Sequence, residues 1–199
     1  MIPVVLFARP PRPGLVKTRL IPDIGAAAAT RVYRYCLEYS LELVRRCGLD
    51  YQLYLSRDSD DELFQDERYL IQKGADLGAR MHNALADLLA AGNDGAIIIG
   101  SDCLDLTPGH LQSAAQALAN HELVLIPAFD GGFALLGCTE ANPELFDSVS
   151  WSTDQVLAQT IANAERSNYR LCLLETVRDI DTLQDLEQYP ELLSLITSS

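Results

Sequence analysis

At 199 residues the chain is long enough to bury a substantial core and short enough to be one domain, expected to span 1–199. Twelve glycines and nine prolines exclude collagen-like and low-complexity architectures, and a net charge of −13 opposes attraction to nucleic acid or anionic membranes. No stretch approaches the roughly 20 apolar residues of a membrane span, and Met1-Ile2-Pro3-Val4-Val5 lacks the basic start of a signal peptide, so a cytoplasmic protein is expected.

In chain order, Val4–Ala8 is an apolar run without polar alternation, the pattern of a strand buried on both faces. A helix is expected over about 26–46. The runs Leu53–Leu55, Ile97–Ile99, Leu123–Ile126 and Leu171–Leu174 repeat the strand signal. Leu77, Met81, Leu85 and Leu88 recur at helical spacing and predict a helix over Asp76–Ala91, with Asp76 able to cap it. Thr107-Pro108 supplies an N-cap followed by proline at the first helical position, opening a helix to 119. Thr153-Asp154 is read in the same way, as the start of a helix to 166. Strands alternating with helices predict a three-layer α/β sandwich with a mostly parallel central sheet. Such folds bind ligands beyond the carboxyl ends of their strands, so the polar residues after each apolar run are the candidates for chemistry.

Charge is distributed unevenly. Residues 1–46 carry eight basic and three acidic groups, leaving that segment +5 and the remainder −18. Four of those cations, Arg9, Arg12, Lys17 and Arg19, share a loop with Pro10, Pro11, Pro13 and Gly14. A stiff basic loop on an acidic protein suits a small polyanion: arginine offers a fork and lysine a point charge to phosphate, while Gly14 permits a tight turn. A solvated loop has the same composition. The segment is not a Walker A loop, because the glycine before the lysine is missing. Cys36, Cys47, Cys103, Cys138 and Cys172 are odd in number and never form CxxC, so reduced, packed thiols are expected. His82, His110 and His121 supply no i,i+4 pair for zinc.

Four further segments follow apolar runs or open helices. In Gly100-Ser101-Asp102-Cys103-Leu104-Asp105, Asp102 is placed to hold Mg²⁺ or Mn²⁺, although a capping aspartate looks alike; Asp105 is a second carboxylate or a turn former. Phe129-Asp130-Gly131-Gly132-Phe133 is a hairpin turn or a place where ligand presses on backbone. In Arg178-Asp179-Ile180-Asp181-Thr182, alternate carboxylates can share a metal, or Asp181 or Thr182 can cap the last helix. Gly74 and Gly78 leave space for a flat ligand beside Asp76. Trp151 either borders that ligand or is a half-buried core residue.

The order of these motifs (basic Gly/Pro loop, Asp76-Leu-Gly-Ala-Arg-Met81, Gly100-Ser-Asp-Cys-Leu-Asp-Leu106, Asp130-Gly-Gly-Phe133, Trp151-Ser-Thr153, Asp179-Ile-Asp-Thr182) resembles a bacterial family of small GT-A-like proteins. These have the nucleotide-diphospho-sugar transferase fold and are often labelled glycosyltransferases. The resemblance runs from Phe7 to Asp185. More distantly the chain is similar to the molybdenum-cofactor and phospholactate guanylyltransferases. The resemblance implies that the loop of Arg9, Arg12, Gly14, Lys17 and Arg19 binds the nucleotide phosphates, that Asp102 binds the divalent ion, and that Asp130, Gly131 and Gly132 border the acceptor. Asp179 or Asp181 would complete the metal or acceptor site. From their own positions, Asp76 and Gly78 are expected at the nucleotide and Trp151 at the acceptor. The chain departs from the family pattern at Arg9 (usually lysine), Leu104 (usually proline) and Phe133 (usually tyrosine). Phe133 lacks the hydroxyl, so these changes bear on the acceptor more than on the fold.

The leading expectation is therefore a Mg²⁺- or Mn²⁺-dependent transferase taking a nucleotide or nucleotide-sugar and a small-molecule acceptor. In nucleotidyl transfer the acceptor attacks the α-phosphorus of a nucleoside triphosphate, Lys17 and its neighbours steady the departing pyrophosphate, and Asp102 holds the metal. In glycosyl transfer the leaving group is a nucleoside diphosphate and a base such as Asp130 matters more. The rich basic loop favours the first, because more leaving-group charge needs more cations. A nucleotide-binding module without turnover is the third expectation.

Overall fold

Val4–Ala8 forms strand β1 with all five residues buried. Val4, Leu6 and Ala8 face one hydrophobic layer while Val5 and Phe7 face another, which is why this run shows no polar alternation. The structure is a computed structural model describing residues 1–197. β1 pairs in parallel with β2 (Tyr51–Leu55) and β4 (Ala96–Ile99), and β2 pairs in parallel with β3 (Tyr69–Ile71). On the other side β6 (Phe133–Cys138) runs antiparallel between β4 and β5 (Leu123–Pro127), and β7 (Leu171–Leu173) pairs in parallel with β5. The seven strands lie in the order β3-β2-β1-β4-β6-β5-β7, a mostly parallel sheet.

Two of these strands lie outside the expected set. β3 has only three residues and leaves Leu70 and Ile71 exposed, so it presents no buried run. β6 contains Gly137, a poor strand residue that leaves room for its neighbours. A Cβ at that position would come within 3.2 Å of both Ile97 and Leu118.

Helices cover both faces. α1 (Ile21–Arg46) and α3 (Pro108–Ala117) bury residues such as Leu37, Leu41 and Leu111 against one face. α2 (Leu77–Ala90) and α4 (Val156–Arg166) cover the other through Met81, Leu85 and Ala164. Burying one such leucine contributes about 1.5–3 kcal/mol. α1 breaks at Gly25, whose φ of +78° is non-helical, so its regular part coincides with the expected 26–46. Asp76 caps α2 by accepting from Ala79 N–H at 2.8 Å, and Thr107 and His110 form a reciprocal capping box on α3.

The expected opening of α4 at Thr153-Asp154 is corrected. Thr153 accepts from Gln155 N–H in a turn, and the helix starts at Val156 without a side-chain cap. The first-turn N–H of Leu157 donates instead to Gly131 O at 2.9 Å, which ties the helix start to the β5–β6 hairpin. β7 ends one residue earlier than expected. Thr182, rather than Asp181, caps α5 (Leu183–Leu186), and α6 (Pro190–Thr197) packs with it on the outer side of α1 through Leu186, Leu192 and Val32. All five thiols are free, and no described helix is long and apolar enough to cross a membrane.

Candidate active site

The carboxyl ends of β1 and β4, the β5–β6 hairpin and the loop after β7 surround one cleft of about 610 Å³. Its floor is Lys17. The loop after β1 turns through Gly14 and places Lys17 at a φ of 46°, with its side chain only 3% exposed. Lys17 Nζ donates to Asp102 Oδ2 at 3.1 Å and to Asp181 Oδ1 at 3.0 Å. Burial alone would lower the ammonium's pKa, but the Asp102 and Asp181 carboxylates outweigh it and hold the group well above its usual value. Arg19 Nη1 donates to the second Asp181 oxygen at 3.1 Å, and its Nη2 reaches Ser152 O at 3.4 Å. The Tyr33 hydroxyl accepts from Arg9 N–H at 2.8 Å and meets Ser101 Oγ at 2.9 Å, locking the start of the basic loop to the end of β4.

Beside the cations, Asp130, Asp179 and Asp181 can each bring a carboxylate oxygen within 4.8 Å of the others. Asp179 is pushed up to about 7, first by burial and then by the charges of Asp130, Asp102 and Asp181. Asp102 thus stands beside this cluster while its own oxygen is engaged by Lys17. A half-buried carboxyl crowded by other carboxylates is a place where a hard cation substitutes for the proton, and aspartate oxygens are the donors Mg²⁺ and Mn²⁺ take.

The Asp130-Gly-Gly-Phe segment is both a hairpin turn and a cleft wall. Asp130 Oδ1 accepts from Gly132 N–H at 2.8 Å, and Asp130, Gly132 and Phe133 line the cleft. Gly131 instead presses on protein: a Cβ there would lie 2.2 Å from Asp154 O, and its φ is +88°. The space expected beside Gly74 and Gly78 is likewise not open to a ligand. A Cβ on Gly78 would fall 2.6 Å from the Trp151 indole, and one on Gly74 would fall 2.6 Å from Arg80 N. The flat group against Gly78 is Trp151 itself, half-buried, 6.4 Å from the Phe146 ring and lining the cleft with its remaining surface.

Of the residues singled out from sequence, Arg9, Lys17, Arg19, Asp76, Asp102, Asp130, Gly132, Trp151, Asp179 and Asp181 line the cleft. Arg12 and Gly14 do not: the turn swings its tip outward, and Arg12 lies 3.9 Å from Asp60. Asp105 also lies outside, accepting from Arg178 N–H and the Tyr189 hydroxyl. Several lining residues had no role assigned from the sequence. Gln72 bridges the ends of β1 and β2 by donating to Ala8 O and Tyr54 O, and the rule of inspecting strand ends would have found it had β3 been visible. Arg80 sits one turn after the Asp76 cap, on the cleft side of α2. Tyr33 projects from mid-helix, where an aromatic residue reads as core.

No curated protein resembles the chain closely enough to count as a match. Among solved structures, a provisionally assigned nucleotide-diphospho-sugar transferase from Desulfovibrio desulfuricans G20 superposes with a TM-score of 0.89 at 27% identity, over 98% of this chain and 97% of that one. A 4-diphosphocytidyl-2C-methyl-D-erythritol synthase from Anaerococcus prevotii DSM 20548 matches at TM-score 0.64 and 12% identity, over 98% and 96%. The inositol-1-phosphate CTP transferase of T. maritima matches at TM-score 0.57 and 15% identity, over 100% and 97%. The fold is that of the nucleotide-diphospho-sugar transferases. The model of a bacterial family, described as "Uncharacterized protein conserved in bacteria (DUF2064)", matches residues 41–153, more than half of the chain, and the protein belongs to that family.

Proposed function

We propose that this protein is a divalent-metal-dependent transferase of the cytoplasm, moving the nucleotidyl group of a nucleoside triphosphate to a small-molecule acceptor. The observation that carries the reading is the meeting, in one cleft, of the basic loop after β1 with the Asp130–Asp179–Asp181 cluster. Charge decides the cofactor. Arg9, Lys17, Arg19 and Arg80 face Asp76, Asp102, Asp130, Asp179 and Asp181, and Lys17 and Arg19 already spend their charge on aspartates. A triphosphate entering this cleft meets net negative walls unless a divalent cation accompanies it. Asp130, Asp179 and Asp181, with Asp102 beside them, would hold Mg²⁺ or Mn²⁺, which would neutralise phosphate oxygens and make the phosphorus more electrophilic.

The remaining chemistry belongs to the chain's own groups. Arg9 is exposed at the cleft mouth and meets the terminal phosphates, with Lys17 and Arg19 below it. Asp130 keeps one oxygen on Gly132 N–H and leaves the other to the cation cluster, and the acceptor hydroxyl gives its proton to solvent as the new oxygen–phosphorus bond forms. The bond from the α-phosphorus to the bridging oxygen breaks, and pyrophosphate leaves toward the cations. Gly132, Phe133 and Trp151 form the wall on which the acceptor rests. Most of the rate enhancement is positioning and charge stabilisation.

A second reading, glycosyl transfer from a nucleotide-sugar, is favoured by the description of the D. desulfuricans structure. The two are separated by incubating the protein with nucleoside triphosphates and nucleotide-sugars, each with and without Mg²⁺, and analysing the products. Metal-dependent pyrophosphate supports the first reading and free nucleoside diphosphate the second. Binding seen by thermal shift with no turnover of any donor would leave a nucleotide-binding module and overturn both.

A further inference from the structure

We infer that Asp105 is a positioning residue: without touching the cation, it sets the loop of Asp179 and Asp181 so that these carboxylates share one ion with Asp130. The inference rests on the metal-dependent reading above and names a device that serves it.

The need for such a device is electrostatic. Three aspartates with oxygens within 4.8 Å repel one another, and Asp179 is partly buried as well. The sheet does not supply the restraint. Its last contact with this loop is the bridge between Ala128 and Val177, with Val177 N–H donating to Pro127 O at 3.0 Å. Beyond Val177 the backbone on either side of Asp179 is held by the segment after β4. Arg178 N–H donates to Asp105 Oδ2 at 2.9 Å, the Cys103 thiol donates to Arg178 O at 3.1 Å, and Ile180 N–H donates to Asp102 O at 3.2 Å. These bonds bracket Asp179 on both sides.

Asp105 is anchored in turn by Tyr189, whose hydroxyl donates to Oδ1 at 2.7 Å. Both carboxylate oxygens are therefore committed, and Asp105 does not line the cleft. The Arg178 side chain adds a lateral brace, its guanidinium 4.9 Å from the Phe129 ring centre and 3.3 Å from Asp185. Phe129 precedes Asp130 and Arg178 precedes Asp179, so this contact joins the two loops at the residues adjoining the cluster.

The bonding pattern makes a sharp test. An asparagine at 105 satisfies the same two partners, its oxygen accepting from Arg178 N–H and its amide donating to the Tyr189 oxygen, whereas an alanine satisfies neither. A metal ligand behaves otherwise, because asparagine lacks the charge a hard cation needs. The probe is Mn²⁺ alone, titrated into full-length protein and followed by the electron paramagnetic resonance of free Mn²⁺, with amide hydrogen exchange of the 178–180 segment alongside. Asp179→Asn should abolish the site. Asp105→Ala should weaken Mn²⁺ about tenfold or more, as loss of an outer support does at metal centres, and should speed exchange in the segment. Asp105→Asn should stay within about threefold of wild type, and Tyr189→Phe should fall between the two.

Unchanged Mn²⁺ affinity in folded Asp105→Ala overturns the inference, as does an Asp105→Asn loss equal to that of Asp179→Asn. Should Asp105→Ala not fold, unchanged affinity and exchange in Tyr189→Phe overturn it equally. If wild type itself shows no Asp179-dependent Mn²⁺ site, the metal-dependent reading fails. The tie then stands or falls on the exchange rates alone, and unchanged exchange in Asp105→Ala and Tyr189→Phe rejects it.

Discussion

Lys17 Nζ stands 3.0 Å from Asp181 Oδ1, joining the loop after the first strand to a loop 164 residues further along. The side chain is 3% exposed, so burial works against the ammonium and the Asp102 and Asp181 carboxylates favour it. Removing one partner of a buried ion pair strands the others, at a cost of about 3–5 kcal/mol when all are buried. Both aspartates retain solvent contact, so Lys17→Ala should destabilise by about 2–3 kcal/mol, read as a shift in the urea midpoint. Nucleotide binding should also be lost under conditions where the variant remains folded. A variant as stable as wild type would refute the buried pairing.

Arg9 makes the complementary case. It is exposed, lines the cleft and enters none of the ion pairs among the described residues. Arg9→Ala should leave stability within about 0.5 kcal/mol of wild type. It should weaken triphosphate binding by about 1.5–3 kcal/mol, the worth of a hydrogen bond to a charged group. Isothermal titration in the presence of Mg²⁺ checks this, and unchanged affinity would remove Arg9 from the phosphate site.

Asp179 predicts a pH dependence whose sign follows from its raised pKa. In the folded, metal-free protein it titrates near 7, against an ordinary carboxylate value of 3.8 when unfolded. The folded state therefore binds the proton more tightly, and this contribution to stability is full below about pH 4 and lost as pH rises through 7. In EDTA the melting temperature should fall between pH 5 and pH 8 (about the window of that titration), and Asp179→Asn should flatten the trend. Mn²⁺ affinity should rise over the same interval as the competing proton leaves. A melting temperature with the same slope in wild type and Asp179→Asn would contradict the assignment.

Gly78 and Gly131 test the packing of the cleft wall. At Gly78 an added methyl collides with the single tryptophan, Trp151, which must move outward. Gly78→Ala gains roughly 0.8–1 kcal/mol in helix propensity. Overpacking opposes this by about 1–3 kcal/mol. The emission maximum of Trp151 should shift to the red as the indole gains solvent. Gly131→Ala forces a methyl against Asp154 O at a φ of +88°, costing about 1–3 kcal/mol from backbone strain alone and loosening the start of α4. Unchanged tryptophan emission in the first variant or an unchanged urea midpoint in the second would overturn these contacts.

The sequence by itself determined the layered α/β architecture, because runs such as Val4–Ala8 and Ile97–Ile99 are apolar on both faces and only a doubly covered sheet accommodates them. It also determined where to look, since Lys17, Asp102, Asp130, Asp179 and Asp181 all follow apolar runs that end at the cleft. Local capping at Asp76 and Thr107 was legible because each bond is made within three residues, whereas the choice of Thr182 over Asp181 was not. What the tertiary structure alone decided depends on contacts between distant segments. β6 and β3 are strands because of their neighbours, and Gly78 faces Trp151 rather than a ligand. Arg12 and Gly14 turn away from the cleft that Arg9, Lys17 and Arg19 line. The choice for Asp105 between a cleft carboxylate and a structural one was settled by Arg178 and Tyr189, 73 and 84 residues away. Spacing along a chain specifies which residues share a strand or a helix turn. The partners of a buried charge or carboxylate are specified by packing, because desolvation makes each unpaired group costly wherever its partner lies in the sequence.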